Sequence, residues 1–274
     1  GAWQYVARLN PIATEPVAVA TKARVAPAAS PKAPVEVAVA IPGVPADAGG
    51  DTSANTPPPP ALAQLLNTPE VPTSTEAAFV ALFGQWRKDY RLLSGRTGCA
   101  RAASAGMQCM FVTGTWNNLR QLNRPAMIEL IDADGAKHHV LVSGLDDDQV
   151  ALEIGGKVYE YPLAEVDRFW FGKMLLLWTP LPTGEQKLVR GMHGPGVAWV
   201  RQALARYYGE PVTVSADDDV FDEVVEDQVR EFQRRHQIED DGIIGRNTLI
   251  QLAAYDTSAA PPLLSKLPPA VETP

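Results

Sequence analysis

One stretch decides the fold of the C-terminal part of the chain: residues 220–252 read VFDEVVEDQVREFQRRHQIEDDGIIGRNTLIQL. Four side chains in it follow the spacing i, i+4, i+7 and i+11: Val225, Val229, Phe232 and His236. This spacing places them on one face of a helix. Acidic residues precede basic residues along the segment, which is the order that the helix dipole favours. The pattern therefore predicts an amphipathic helix with one buried face.

Two further helices are predicted around it. Upstream, apolar residues spaced i, i+3 and i+7 indicate a helix that ends at Gly209. These residues are Val197, Val200 and Leu204. Downstream, the Asp241-Gly242 turn and Gly245 lead into a short helix. Its apolar face carries Thr248, Leu249 and Leu252. Three helices around one small core are thus predicted over residues 190–256.

This segment resembles the peptidoglycan-binding domain found on many cell-wall enzymes. The family pattern is a V-x-x-L-Q-x-x-L helix, a turn, a helix ending in F-Q, and then D-G-x-x-G-x-x-T-x-x-x-L. The matching residues are Val197, Val200, Leu204, Phe232, Gln233, Asp241, Gly242, Gly245, Thr248 and Leu252. Two departures stand out. Arg201 replaces the Gln of the first helix, and the first of the family's two D-G-x-x-G-x-x-T copies survives only in part, as Asp218, Asp219, Phe221, Asp222 and Val225.

The resemblance implies that the domain binds glycan strands or stem peptides of peptidoglycan through a shallow groove. The residues expected at that groove are Phe232, Gln233, Asp241, Gly242 and Thr248. The alternative is a helical bundle that has kept the fold without the ligand and serves only packing or protein contact.

The composition narrows the class of protein. At 274 residues, the chain is long enough for two ordinary domains. A formal net charge of −8 argues against nucleic acid as a partner, because phosphate binding needs clustered Lys and Arg. No apolar run is long enough for a membrane span. No signal-peptide pattern is present either, so we expect the chain to begin after any targeting segment.

Residues 1–73 have the composition of a spacer. No aromatic residue follows Tyr5 in this segment, and Ala, Val and Pro alternate up to the proline run at 57–60. Such a segment cannot bury enough surface to offset the entropy lost on ordering. We therefore predict a disordered Pro/Ala-rich linker over 1–73 and a disordered tail over 257–274.

Residues 74–181 are predicted to form an α+β domain. A first helix is expected to begin at an N-cap, Thr75. The other predicted helices cover residues 101–107 and 116–122. The period then changes to that of strands, which are predicted over residues 126–131, 138–142, 149–154, 157–161 and 173–178. Asp134-Gly135 and Gly155-Gly156 supply hairpin turns. A small antiparallel sheet covered by the N-terminal helices is the expected result.

Cys99 and Cys109 are the two cysteines of the sequence. Their spacing matches no zinc site. In an oxidising compartment they would close a short loop as a disulfide, and the neighbouring cell-wall module favours this pairing. Two buried free thiols in a cytosolic protein are the alternative.

The helical start, a Cys, and a strand that begins with His resemble the C39-like family of papain-fold peptidases. The strand reads HHVLVSG over residues 138–144, so His138 aligns with the family's base and Cys99 is the candidate nucleophile. Cys99 lacks the Gln-led motif that precedes the family's nucleophile, and the next strand lacks the expected Asp-Pro. We therefore interpret the domain as a degenerate relative without enzymatic activity. The alternatives are an active cysteine peptidase, and a His138 that is simply an exposed strand residue.

No metal or cofactor is expected. His138 and His139 point to opposite faces of a strand and cannot share one ion. The acidic triplets at 146–148 and 217–219 are typical of solvated turns. Motifs of zinc proteases, phosphate-binding loops and serine hydrolases are absent from the sequence.

The order of spacer, degenerate C39-like domain and peptidoglycan-binding domain is similar to the periplasmic half of the GspA/ExeA family. The motifs that carry this resemblance are Cys99-x9-Cys109, Gly114-Thr115-Trp116, Leu119, Leu122-Asn123-Arg124-Pro125, Phe169-Trp170-Phe171-Gly172 and Leu175-Leu176-Leu177-Trp178. Members of that family carry a cytoplasmic AAA+ ATPase domain and one membrane span ahead of the spacer, and this sequence contains none of the ATPase motifs.

What the resemblance implies is a periplasmic region tethered to the inner membrane by a span that this sequence does not contain. The implied partners are peptidoglycan and a GspB-type inner-membrane protein, and a homo-oligomer is compatible with them. The implied role is to help the secretin of type II secretion assemble in, or pass through, the cell wall.

Overall fold

The computed structural model describes residues 59–181, 183–212, 219–257 and 259–267. They belong to one compact unit that begins at Asn55. We call residues 59–181 the sheet domain and residues 188–256 the C-terminal module. The predicted α+β class, with an antiparallel sheet followed by three helices, is confirmed. Most of the predicted linker lies outside the described residues.

Six strands form one sheet. They are β1 (Gln108–Thr113), β2 (Ala126–Ile131), β3 (Lys137–Leu145), β4 (Gln149–Ile154), β5 (Lys157–Pro162) and β6 (Trp170–Trp178). Their order is β1-β6-β2-β3-β4-β5, and every neighbouring pair is antiparallel. The two predicted hairpin turns form with positive φ at Gly135, Gly155 and Gly156, a backbone region that glycine adopts without steric cost.

Helices cover both faces of this sheet. They are α1 (Leu62–Leu66), α2 (Thr75–Gln85), α3 (Gly98–Ser104), α4 (Trp116–Leu122) and α5 (Leu163–Val166). Leu141 belongs to the apolar layer under α2, whereas Val140 and Val142 belong to the layer that contains α1 and α4. Because side chains alternate along a strand, His139 faces the α2 layer and His138 faces the other.

The C-terminal module has the three predicted helices, α6 (Pro195–Tyr208), α7 (Glu223–Arg235) and α8 (Arg246–Leu252). As predicted, α6 ends at Gly209, whose φ is 72°. The Asp222 carboxylate caps α7 by accepting a hydrogen bond from the Val225 N–H at 2.9 Å. The apolar face of α7 is buried and joins the same layer as α1 and α4. The sheet domain and the C-terminal module therefore share one core.

Several predicted boundaries differ from the structure. The N-cap of α2 is Ser74 rather than Thr75, because the Ser74 hydroxyl accepts from the Ala77 N–H at 3.2 Å. Helix α3 begins at Gly98 rather than Arg101, because the Thr97 hydroxyl caps it. The sequence predicts no strand at the position of β1. Strands β3 and β6 begin earlier than predicted, and β3 and β5 also end later.

Two stretches that composition placed in the spacer and in the tail pack on the sheet domain. Leu62 of α1 is fully buried, and its N–H donates to Glu165 Oε1 at 2.8 Å. Ser265 forms a parallel bridge with Gly144 beside β3. A few leucines are enough to bury these short stretches, although the surrounding sequence is rich in Pro. The average composition of the segment does not show these leucines.

Candidate functional site

The side chain of Gln233 joins three parts of the C-terminal module. It projects from α7 and is 1% exposed. Its Nε2 faces three acceptors, namely Asp241 Oδ1 at 2.9 Å, the Ile243 carbonyl at 2.9 Å and Thr248 Oγ1 at 3.2 Å. Its Oε1 accepts from the Gly242 N–H at 2.9 Å. The F-Q and D-G-x-x-G-x-x-T parts of the pattern thus meet in one hydrogen-bond network.

Four of the five residues expected to bind peptidoglycan lie in the interior. Phe232, Gln233, Gly242 and Thr248 are buried, and Asp241 is exposed. The Gln233 hydrogen bonds show that these motif residues support the fold of the module. Gln233 and Thr248 also line the surface groove next to them.

That surface is a groove of about 260 Å³ between the end of α7 and the start of α8. We call it the motif groove, and its lining residues are Gln233, Ile238, Glu239, Asp241, Ile243, Gly245, Arg246, Asn247 and Thr248. Its exposed side chains are polar: Glu239, Asp241, Arg246 and Asn247. Sequence reasoning missed three of them because Arg246 and Asn247 occupy the variable positions of G-x-x-T and Glu239 precedes the motif.

Arg201 makes contacts inside the module. Its Nη1 donates to the Val220 carbonyl at 3.0 Å and lies 3.3 Å from Asp222 Oδ2. The backbone bond from Val225, followed by the bond from Arg201, lowers the pKa of Asp222 despite partial burial. The departure from the family's Gln therefore ties α6 to the remnant of the first motif copy. Asp218 of that copy lies outside the described residues.

In the sheet domain, Cys99 and His138 do not meet. Cys99 is bonded to Cys109, which lies on β1 with β6 and β2 between it and β3. Three strand spacings amount to roughly 14 Å. His138 is buried, and its ring nitrogens lie 2.8 Å from Thr73 Oγ1 and 3.1 Å from Asp132 Oδ2. The alternative of an exposed His138 is therefore wrong.

It is His139 that faces the N-terminus of α2. Its Nδ1 lies 3.2 Å from Thr75 Oγ1, and its Nε2 lies 3.8 Å from Glu129 Oε2. A nucleophile at a helix N-terminus, an imidazole and a carboxylate are the groups that thiolate catalysis requires, and a threonine hydroxyl stands in the first position here. The sequence shows the His-His doublet but not which ring the helix covers.

Glu129 is the charged centre of this arrangement. It is 2% exposed and receives Lys173 Nζ at 3.0 Å and Lys137 Nζ at 3.4 Å. Burial alone would raise the pKa of Glu129, but the bonds and charges of the two lysines lower it overall. Burial also lowers the pKa of His139, so the imidazole is neutral near pH 7. The carboxylate is thus paired with two ammonium groups.

The sheet domain and the C-terminal module are tied together by bonds from side chains to backbone carbonyls. Arg124, within the Leu122-Asn123-Arg124-Pro125 motif, donates to the carbonyl of Ile250 on α8. Gln251 donates to the carbonyl of Gln121, and Gln121 donates to the carbonyl of Gln237.

None of the helices in the described part of the chain is long and apolar enough to cross a membrane. Within the same parts of the chain, no group of three or more His, Cys, Asp or Glu side chains is arranged to hold a metal ion.

Comparison with known proteins adds a family for the C-terminal module. Residues 193–252 match the family described as "Putative peptidoglycan binding domain". This range includes all three helices of the module and the motif groove.

Over about two thirds of its length, the chain is similar to two curated bacterial proteins named for the general secretion pathway. "General secretion pathway protein A" of Aeromonas hydrophila is 29% identical over 180 residues, which are 65% of this chain and 31% of that protein. "Putative general secretion pathway protein A" of Escherichia coli strain K12 is 25% identical over 175 residues, 64% of this chain and 35% of that protein. The chain thus spans about a third of the length of these curated relatives.

This chain is also similar to a solved structure, the crystal structure of a periplasmic domain of the EpsAB fusion protein of the Vibrio vulnificus type II secretion system. It is 22% identical, with a TM-score of 0.47, and the match covers 71% of this chain and 93% of that one. The resemblance predicted from the motifs is confirmed: residues 193–252 match the peptidoglycan-binding family, and the chain is similar to general secretion pathway protein A.

Proposed function

We propose that this chain is the peptidoglycan-binding periplasmic region of a type II secretion assembly protein. The observation that carries the proposal is the C-terminal module, which matches the peptidoglycan-binding family and retains the Gln233 network beneath an open groove. Similarity to two general secretion pathway proteins supports the secretion role.

The motif groove supplies the binding chemistry. Glycan strands and stem peptides are rich in hydroxyl, amide and carboxylate groups. Arg246 and Asn247 offer donors to them, and Asp241 and Glu239 offer acceptors. Asp241 is held in place because its Oδ1 also accepts from the Ile243 N–H at 2.8 Å. The Asp241 carboxylate is therefore held in position before a ligand binds, which reduces the entropy cost of binding.

The sheet domain acts as the scaffold in this proposal. It shares its core with the C-terminal module and is bonded to it through Arg124 and Gln251. A module that grips the wall would hold the sheet domain at the wall, where a GspB-type partner and the secretin could be assembled. A periplasmic location and an inner-membrane tether belong to the same proposal.

The alternative function, a cysteine peptidase that the module targets to the wall, is less well supported. Its nucleophile would be Cys99, whose sulfur is bonded to Cys109. The hydroxyl of Thr75, which lies beside His139, is a poorer nucleophile than a thiolate. We therefore propose that the chain has no peptidase activity.

Co-sedimentation of the whole chain with purified, insoluble peptidoglycan sacculi tests the proposal. The wild-type chain should pellet with the sacculi, and the double variant Arg246→Glu, Asn247→Ala should stay in the supernatant. Arg96→Glu is the matched control, because it makes the same charge change at an exposed position in the sheet domain. Equal pelleting of all three chains, or pelleting of none, would contradict a role for the motif groove.

A further inference from the structure

An open pocket of about 400 Å³ lies where the sheet domain meets the C-terminal module. We call it the amide pocket, because four residues with side-chain amides line it: Gln121, Asn123, Gln237 and Gln251. Two of them belong to the sheet domain and two to the C-terminal module. A carboxamide offers both a hydrogen-bond donor and an acceptor. The amide pocket shares no lining residue with the motif groove.

The amide pocket begins where the motif groove ends. Gln237 lines the pocket, and the next residue, Ile238, lines the groove. On α8, Thr248 lines the groove and Gln251 lines the pocket. Residues three apart on a helix are neighbours on its surface. A polymer that lies in the motif groove can therefore continue into the amide pocket and reach the sheet domain.

Two residues of the pocket have a backbone conformation that favours glycine. Among the described residues other than glycine, three have positive φ: Arg87 at 54°, Asn123 at 49° and Gln237 at 56°. Asn123 and Gln237 line the pocket, and Arg87 does not. At the end of α7, the Ile238 N–H donates to the Gln233 carbonyl at 3.0 Å. In this type of helix end, glycine is the usual residue at the position of Gln237. A larger residue there costs backbone strain, and such strain clusters at ligand sites.

The side-chain amides of these two residues are available to a ligand. Gln237 is exposed and Asn123 is half-buried. Their backbone carbonyls accept hydrogen bonds from Gln121 and Arg124. Neither side-chain amide, however, forms a hydrogen bond with another described residue. The pocket thus presents one unused amide from the sheet domain and one from the C-terminal module.

The two arginines of the pocket are already engaged by the protein. Arg235 pairs with Glu231. Arg120 Nη2 donates to the carbonyls of Asp146 at 2.6 Å and Asp147 at 2.8 Å. The groups left for a ligand are therefore mainly uncharged donors and acceptors. This favours the sugars of a glycan strand, with their hydroxyl and acetamido groups, over the carboxylates of a stem peptide.

We propose that the amide pocket is a second subsite for the glycan strand of peptidoglycan, with Asn123 and Gln237 as its ligand contacts. This inference rests on the proposed function and deepens it, because it assigns wall contacts to the sheet domain as well as to the C-terminal module. One glycan strand crosses from the motif groove to the amide pocket.

Calorimetric titration of the whole chain with peptide-free glycan fragments tests the proposal. The fragments contain one, two or four disaccharide units of N-acetylglucosamine and N-acetylmuramic acid. We expect the affinity to rise at least about tenfold from the shortest fragment to the longest, because only a long fragment occupies both subsites at once.

Glycine variants remove the amides without straining the backbone. Asn123→Gly and Gln237→Gly should each weaken binding of the longest fragment about three- to tenfold, because one hydrogen bond is lost. Their Tm should equal or exceed that of wild type, because glycine adopts positive φ freely. Arg87→Gly is the matched control: it makes the same backbone change outside the pocket and should leave the affinity unchanged.

Three results would overturn the amide-pocket proposal: wild-type affinity for the longest fragment in both glycine variants, equal affinity of wild type for all fragments, or no saturable binding up to about 10 mM. The sacculus assay would still decide the proposed function. The variant Arg246→Glu, Asn247→Ala separates the two sites. Weaker binding in that variant alone contradicts only the pocket, whereas weaker binding in the glycine variants alone supports the pocket and contradicts a role for the motif groove.

Discussion

Gln233 Oε1 accepts a hydrogen bond from the backbone N–H of Gly242 at 2.9 Å, deep inside the C-terminal module. This bond fixes the turn after α7 to the helix itself. It explains why the F-Q and D-G parts of the motif occur together, although Gly242 lies nine positions after Gln233 in the sequence.

Replacement of Gln233 should therefore destabilise the protein. Gln233→Leu leaves the Gly242 N–H without its buried acceptor and removes a donor to Ile243 and Thr248, so we expect a loss of about 2–3 kcal/mol in the free energy of unfolding. Urea denaturation measures it. Gln228→Ala, on the same helix with a partly exposed side chain, is the control and should stay within about 0.5 kcal/mol of wild type. A loss of similar size in both variants would show that the network has no special role.

Gly242 is constrained twice. Its φ is +75°, and a Cβ there would come within 2.9 Å of Glu226 Cγ and 3.0 Å of the Arg230 side chain. Gly209 has φ +72° but open space around it. Gly209→Ala should cost about 1–2 kcal/mol from backbone strain alone, and Gly242→Val clearly more. Thermal unfolding of the two variants compares them. An equal shift in Tm would mean that the Glu226 and Arg230 side chains move aside without a loss of stability.

The thiols offer a chemical check. With Cys99 bonded to Cys109, the oxidised protein should show no thiol reactive to Ellman's reagent, even in denaturant. The double variant Cys99→Ser, Cys109→Ser should lose about 2–3 kcal/mol of stability, because the disulfide closes a loop of about ten residues. Detection of one reactive thiol per chain would revive the peptidase alternative.

The stability of the sheet domain should fall as the pH drops. Burial lowers the pKa of His139 below the ordinary value of 6.5, so the unfolded chain takes up a proton before the folded chain does, and stability is lost as the pH falls below about 6.5. The pKa of Glu129 is also lowered overall, which adds a further loss as the pH approaches 4. We expect Tm to decline in both windows.

Variants show which residue causes each of the two declines in Tm. His139→Gln should flatten the decline that begins below about pH 6.5 and should leave the decline near pH 4. His236, whose pKa burial also lowers, contributes in the same direction, so His236→Gln should flatten the upper window in part. A Tm profile of His139→Gln that parallels wild type throughout would contradict this assignment.

The sequence predicted the elements whose signals are local. The amphipathic period predicted α7 and its buried face, Gly209 predicted the end of α6, and the Gly155-Gly156 turn predicted the β4-β5 hairpin. Strand β1 was missed because it pairs with β6, about 65 residues later along the chain. The spacing of residues within a strand does not show which distant strand it pairs with.

The candidate sites were harder to predict for a related reason. The motif includes residues that support the fold: Phe232, Gln233 and Thr248 are buried, and their role as ligand contacts stays a prediction. Arg124 is a charged residue that is buried, and it donates to the carbonyl of Ile250 on α8, about 125 residues later along the chain. Burial that depends on long-range packing leaves no trace in the spacing of residues.

The most direct test of the central claim is to map where wall fragments bind. Soluble fragments of peptidoglycan would be added to the isotope-labelled whole chain, and backbone amide shifts followed by NMR. The proposed function predicts saturable shifts centred on residues 238–247, around Arg246 and Asn247. Absence of any shift at these amides, or shifts confined to other parts of the chain, would contradict peptidoglycan binding by the motif groove.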